Sequence, residues 1–221
     1  MDKTVALLDA VAERPRSLAD LVAATGLPRP TAHRLALALE RQQVLDRDPE
    51  GRFTVGIRVA RWSTAVDALG PRAEQVVLDL RDATGVSAQV YRRVGEQRLC
   101  IAAAEPEAGL RDTVPVGALL TLQAGSAAQV LVAWLPDDEQ AALLSGAAFT
   151  ARDLAEVRRR GWSHSVAQRE PGVASVSAPV HAADGAVVAA VSISGPVDRL
   201  AAPTAAQRRI LLGAARTLAG D

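Results

Sequence analysis

The chain has 221 residues, 49% apolar and 23% charged, with 25 Lys+Arg against 25 Asp+Glu. That composition can bury globular cores, and it excludes a disordered chain and one with an overall basic footprint for nucleic acid. A lone cysteine (Cys100) rules out an internal disulfide, the three histidines form no metal-ligand cluster, and apolar runs such as Ala186 to Ile193 fall short of the roughly 20 residues that span a bilayer. No charged-then-apolar leader opens the chain, so the expectation is a cytoplasmic protein without metal, cofactor or membrane partner.

The zero net charge conceals a mild asymmetry. Residues 1 to 62 carry 10 Lys+Arg and 8 Asp+Glu, and residues 63 to 221 carry 15 and 17. Of the basic residues only Lys3 is lysine, so arginine is the default cation and its presence at a given position carries less information than usual.

Val5, Leu8, Ala12 and Leu7, Val11 recur at helical spacing, which predicts an amphipathic helix over 3–13 that stops before Pro15. Ser17 with Asp20 three residues on is a short-armed capping box opening a second helix through Leu18, Leu21 and Val22, and Gly26 closes it. Pro28 and Pro30 donate no amide, so a third helix starts near Arg29. Its Ala32, Leu35, Ala36 and Leu39 share one face, the core side. Pro30, His33, Arg34, Leu37 and Arg41 lie opposite, with Arg29, Thr31, His33 and Arg34 near the helix N-terminus, where a recognition helix meets base edges and phosphate.

An ordinary surface helix has the same pattern; context separates the two. Val44 to Arg47, Asp48-Pro49-Glu50-Gly51 and Arg52 to Val55 read as strand, turn, strand, a wing whose Arg47 and Arg52 flank the turn within reach of phosphate. Residues 1–56 are therefore expected to form a winged helix-turn-helix whose partner is operator DNA.

Ile57 to Leu69 is helical in pattern, with Val59, Trp62 and Val66 on one stripe, and residues 57–70 are assigned to a linker helix. Residues 71–221 form the second domain. A helix over 71–84 ends near Gly85, and strands at Val86 to Val94 and Gln97 to Ala104 join at Gly95-Glu96. A strand is expected from Arg111 to Val116, and helices over 126–134, 137–144 and 150–160. Strands follow at 162–167, 173–180 and 186–194, the last two joined by Asp184-Gly185, and Pro203 opens a final helix to Leu218.

Catalytic candidates are poor. Cys100 sits in an apolar strand, no nucleophile turn accompanies His164, and neither G-x-G-x-x-G nor G-x-x-x-x-G-K occurs, so an enzyme is not expected. Arg158-Arg159-Arg160 closes a helix, where cations complement the dipole. Ser175, Ser177, Ser192 and Ser194 alternate along neighbouring strands and share a face, either to hold the polar end of a small metabolite or to fill tight spots and bond to backbone. Ser126 and Ala127 amides at a helix start are a second place for an anionic group, such as an amino acid's carboxylate, and Tyr91 and Arg111 are further candidates.

Several stretches in one order resemble the IclR-type bacterial transcriptional regulators. They are Leu18-Ala-Asp-Leu, Thr25-Gly-Leu-Pro-Arg-Pro-Thr-Ala-His-Arg-Leu, Gly51-Arg-Phe-Thr-Val-Gly, Arg160-Gly-Trp, Glu170-Pro-Gly-Val-Ala-Ser-Val-Ser-Ala-Pro-Val and Val191-Ser-Ile-Ser-Gly-Pro. The resemblance covers nearly the whole chain and looks closest to an actinobacterial branch associated with amino-acid biosynthesis, leucine especially. It implies a two-domain α+β protein whose C-terminal domain is GAF-like, an antiparallel sheet with helices on both sides. It also implies a homodimer or dimer of dimers, and an effector pocket at Ser126, Ala127, Ser175, Ser192 and Ser194. Departures limit the transfer of effectors: relatives often carry cysteine at Ser175, a carboxylate near Ser165 and lysine after Gly125. The competing expectation is a small-molecule-binding enzyme or sensor whose N-terminal helices contact protein.

Overall fold

The computed structural model describes residues 3–59, 69–107 and 112–220, in a chain that divides into two compact units, Met1–Ala68 and Leu69–Asp221. The linker helix expected over 57–70 falls largely outside the described residues, as do Trp62 and Arg111.

In the first unit, α1 (Lys3–Glu13), α2 (Leu18–Thr25) and α3 (Arg29–Arg41) precede a hairpin of β1 (Leu45–Arg47) and β2 (Phe53–Val55). Both lines of apolar residues on α1 suit a helix, but one is buried while the other reaches the core only through half-buried Leu8. Leu7, Ala10 and Val11 are buried, whereas Val5 remains 48% exposed and Ala12 lies outside. The Ser17–Asp20 capping box forms reciprocally: the Asp20 amide donates to Ser17 Oγ at 3.2 Å and the Ser17 amide to Asp20 Oδ2 at 3.0 Å. The Ser17 hydroxyl, donating to Asp20 Oδ2 at 2.7 Å, and then the Ser17 amide hold the Asp20 carboxyl below its usual range. Gly26, at φ 66°, then closes α2 by donating its amide to Val22.

Leu7, Leu21, Ala36, Leu45 and Phe53 bring all these elements into one small core. The hairpin is also stitched to the α1–α2 connection, since Arg16 and Phe53 exchange backbone hydrogen bonds of 3.0 and 2.8 Å. Gly56 ends the wing against α3's exit. A Cβ there would stand 2.3 Å from the Gln43 carbonyl oxygen.

The second unit opens with α4 (Gly70–Thr84) and is built on a six-stranded antiparallel sheet of order β5-β4-β3-β8-β7-β6. Its strands are β3 (Ser87–Val94), β4 (Gln97–Ala104), β5 (Leu119–Thr121), β6 (Ser163–Val166), β7 (Val173–His181) and β8 (Val187–Pro196). Between β5 and β6 come α5 (Ser126–Val132), α6 (Asp137–Leu144) and α7 (Ala151–Arg160), and the chain continues through α8 (Val197–Leu200) to α9 (Ala205–Ala219). Segment 112–116 is not a strand: Pro115 removes a ladder donor, and the edge strand forms at Leu119–Thr121 instead. Pro203 also lies outside the last helix, because Thr204 is the cap and Gln207 completes its box. The four-residue α8 carried no sequence signal.

Alternation along the strands divides the unit into two cores. On one face Ala88, Val90, Val176, Val180, Val191 and Ile193 pack with Val76, Val77 and Leu80 of α4 and Leu211 and Leu218 of α9. Each Leu or Ile buried there contributes roughly 1.5–3 kcal/mol. The other face meets α5, α6 and α7 through Tyr91, Cys100, Val130, Leu131 and Leu154. This is the predicted sheet with helices on both sides. One irregularity changes what faces the second core: opposite Val90 and Tyr91, β4 pairs through Ala102 and Cys100 and skips Ile101. The bulge turns Ala102 towards the α4 side but Arg98 and Cys100 towards α5.

Candidate functional sites: a free arginine face and a serine-lined cavity

Burial of Ala32 and Ala36 fixes the rotation of α3, so Arg29, Pro30, His33, Arg34 and Arg41 emerge exposed, with Thr31 and Leu37 half-buried. Among the described residues Arg29, Arg34 and Arg41 have no ion-pair or hydrogen-bond partner. No acidic residue occupies α3's first turn, so its positive end is uncompensated.

The wing arginines are placed differently. Arg47 pairs with Glu40 at 2.8 Å, donates to the Gly51 carbonyl and lies 4.1 Å from the centre of the Phe53 ring. Arg52 pairs with Asp48 at 2.6 Å and Glu50 at 3.2 Å. The hairpin from Asp46 to Arg52 holds three carboxylates and two guanidiniums.

In the second unit β7 and β8 pair so that Ser175 lies opposite Ser194 and Ser177 opposite Ser192, a register separated from the Asp184-Gly185 turn by a bulge between Val180 and His181. Small hydroxyls leave room for α5 to approach, and Ser126 becomes the hub. Its Oγ stands 2.7 Å from both Ser175 Oγ and Ser177 Oγ. Ser165 extends the chain to Ser175 at 2.9 Å, Ser177 donates to Ser192 at 2.9 Å, and Ser194 donates to Gln89 at 3.1 Å. The serines therefore bond chiefly to one another. A hydroxyl is both donor and acceptor, so this ring can reorient towards a guest's polar atoms.

Ser126, Ala127, Ser175, Ser192, Ser194 and Tyr91 line one cavity of about 20 Å³, with Ser177 in the network behind it. Of the two amides expected to receive an anion, that of Ser126 donates internally to Ser165 Oγ at 3.0 Å, and the Gly125 amide just before α5 donates to Gln168 Oε1 at 3.1 Å.

Arg98, Asp112, Gln168 and Arg169 also line the cavity and were not among the sequence candidates. Arg169 forms an ion pair with Asp112. Burial opposes its charge, but Asp112, with Glu170, holds the guanidinium above its usual range. The readable signal for Arg98 was a charge two residues before Cys100 in an apolar strand.

Among the described residues none of the cavity serines is bonded to a histidine or carboxylate that could act as a general base. His164 points to the opposite side of β6, its Nε2 2.9 Å from the Leu200 carbonyl. Cys100 is fully buried, and desolvation pushes its thiol up to about 11. The Arg158–Arg160 run is tied down locally: Arg159 and Arg160 pair with Glu156, and Arg158 donates to the Ala133 carbonyl.

A winged helix-turn-helix whose exposed α3 arginines are unpaired among the described residues, followed in the chain by a unit with a polar cavity, is the arrangement of a ligand-responsive DNA-binding regulator. The chain belongs to the IclR family of bacterial transcriptional regulators: the IclR helix-turn-helix domain matches residues 1–49, and the bacterial transcriptional regulator IclR C-terminal domain matches residues 67–219. It is 28% identical to the HTH-type transcriptional regulator KipR of Bacillus subtilis, over 87% of this chain and 84% of that one. Identity is also 28% to the glycerol operon regulatory protein of Streptomyces coelicolor, over 90% of this chain and 85% of that protein. In fold it is similar to an IclR homologue from Microbacterium hydrocarbonoxydans complexed with 4-hydroxybenzoate, with TM-score 0.79, 20% identity and coverage of 99% and 96%. The Thermotoga maritima IclR gives a TM-score of 0.71 at 19% identity, with coverage of 98% and 97%. These relatives are regulators, and the reading as an enzyme is set aside.

Proposed function

We propose that α3 docks in the major groove of an operator, with Thr31, His33 and Arg34 at base edges and Arg29, Pro30 and Arg41 along the phosphates. The observation that carries this reading is the set of unpaired guanidiniums on α3's exposed side. The wing contributes little, because Arg47 and Arg52 must give up carboxylate partners to reach phosphate and those carboxylates stay beside the DNA. Paired heads in a homodimer or dimer of dimers, each carried by a linker helix over 57–70, would meet half-sites about one helical turn apart or a multiple of it.

The effector is a small metabolite, an amino acid or related metabolite, held by Ser126, Ala127, Ser175, Ser192, Ser194 and Tyr91, with Ser177 supporting them. Arg111 remains a candidate from sequence. The cavity is contracted around its own hydroxyls, so effector entry must part α5 from β7, and that movement is the step available for coupling to the heads. Amino-acid biosynthesis, leucine in particular, is the proposed regulon. It rests on the sequence resemblance, since the named relatives include regulators of other operons such as glycerol's. A salt titration with a labelled promoter fragment tests the DNA reading: affinity should fall steeply as salt rises, and a salt-independent or absent shift would reject it.

A further inference from the structure

The effector cavity carries an unbalanced charge. Three ionised side chains line it, Arg98, Arg169 and Asp112. Asp112 is committed to Arg169, whose remaining partner, Glu170, sits at the exposed rim at 3.2 Å. Arg98 is only 3% exposed and has no carboxylate partner among the described residues. Its Nη1 donates to the carbonyls of Thr121 and Ala124, its guanidinium carbon lies 5.4 Å from the Tyr91 ring centre, and its Nε makes no hydrogen bond.

The neighbours that titrate do not supply the missing charge. Burial pushes the Tyr91 phenol well above its usual range and the Cys100 thiol up to about 11, so both are neutral near pH 7. The rest of the lining is serine hydroxyl, amide and apolar. Burial also pulls the Arg98 guanidinium down to about 10, which still leaves it charged at neutral pH. An uncompensated buried cation costs several kcal/mol, and a buried donor without an acceptor adds to that.

We propose that Arg98 is the charge-reading residue of the effector cavity, and that the effector is a small carboxylic acid bearing one negative charge and no ammonium group. Its carboxylate meets the Arg98 guanidinium, and its remaining polar atoms meet the serine ring. This deepens the reading of the cavity as the effector site and rests on it. A zwitterionic amino acid leaves the cavity as positive as before, and a dicarboxylate or phosphate monoester overshoots. One monoanion brings two guanidiniums and two carboxylates into balance.

The test is thermal shift and calorimetric titration of the full chain with three- to six-carbon 2-hydroxy and 2-oxo acids, their amides, the matching amino acids, and dicarboxylates. At least one monocarboxylate should bind saturably, and ten times more tightly than its amide or amino-acid counterpart. Arg98→Met should lose that binding at least tenfold, and Arg98→Lys should retain part of it. Tighter binding of the amino acid, amide or dicarboxylate, or no saturable monocarboxylate at all, overturns the proposal on the wild-type protein alone. Ser175→Leu separates the two readings. A response lost in Ser175→Leu but intact in Arg98→Met rejects Arg98 while keeping the cavity, and a response intact in both places the ligand elsewhere and rejects the cavity too.

Discussion

Arg34 and Arg98 are the same side chain in opposite surroundings. Arg34 stands exposed on α3 with no partner among the described residues, where solvation makes an unmatched charge cheap and leaves its guanidinium available to a base edge. Arg98 is unpaired inside a sheet–helix cavity, where the same condition is costly until an anion arrives. A third set, Arg47, Arg52 and Arg169, already holds carboxylates. In a chain where arginine is the default cation, pairing and burial set individual arginines apart where their number does not.

Breaking the free face should have the largest effect. Arg34→Ala removes a side chain for which a base-edge contact contributes about 1–3 kcal/mol per head, so a two-headed molecule should lose operator affinity about thirtyfold or more. Fluorescence anisotropy against a mapped operator measures this, and wild-type affinity would break the comparison from the DNA side. From the other side, Ser175→Leu overfills a cavity of about 20 Å³. Effector should then no longer change operator affinity, while affinity without effector stays within about threefold of wild type; overpacking of this kind costs the sensor about 1–3 kcal/mol.

Gly56→Ala asks whether the head melts by itself. The added Cβ meets Gln43 backbone oxygen at 2.3 Å and backbone carbon at 2.8 Å, contacts that no side-chain rotation relieves. A loss of about 1–3 kcal/mol is expected, lowering the head's Tm by about 4–8 °C per kcal/mol in calorimetry, with the sensor transition unmoved. The smallest effect belongs to the wing. Arg52→Ala removes a guanidinium that Asp48 and Glu50 already neutralise, so operator affinity should change less than threefold and the salt slope by less than about 0.5. A slope reduced by about one per wing would put Arg52 on phosphate after all.

Much of this arrangement was legible in sequence wherever the cause was local. The Ser17–Asp20 box, Gly26 and the Pro28/Pro30 pair set the helix-turn-helix because caps and missing amides act within a few residues. Ser175 with Ser177, and Ser192 with Ser194, could each be assigned to one face as a pair because a strand's side chains alternate with a period of two. What escaped depended on distant pairing. The bulge at Ile101 reverses which β4 side chains face α5, and alternation within the strand cannot reveal it. Asp112 was read as part of a strand, yet its partner Arg169 lies 57 residues further along. On α1 the difficulty was different: two adjacent stripes were apolar enough for a core, and packing chose Leu7 and Val11 over Val5 and Ala12.

The most direct measurement is genome-wide mapping of DNA bound by the wild-type chain and by Arg34→Ala in the same cells. The account predicts a small set of discrete sites upstream of a few operons, lost in the variant while its protein level is maintained. Absence of discrete sites for the wild type, or an unchanged map for Arg34→Ala, would contradict it.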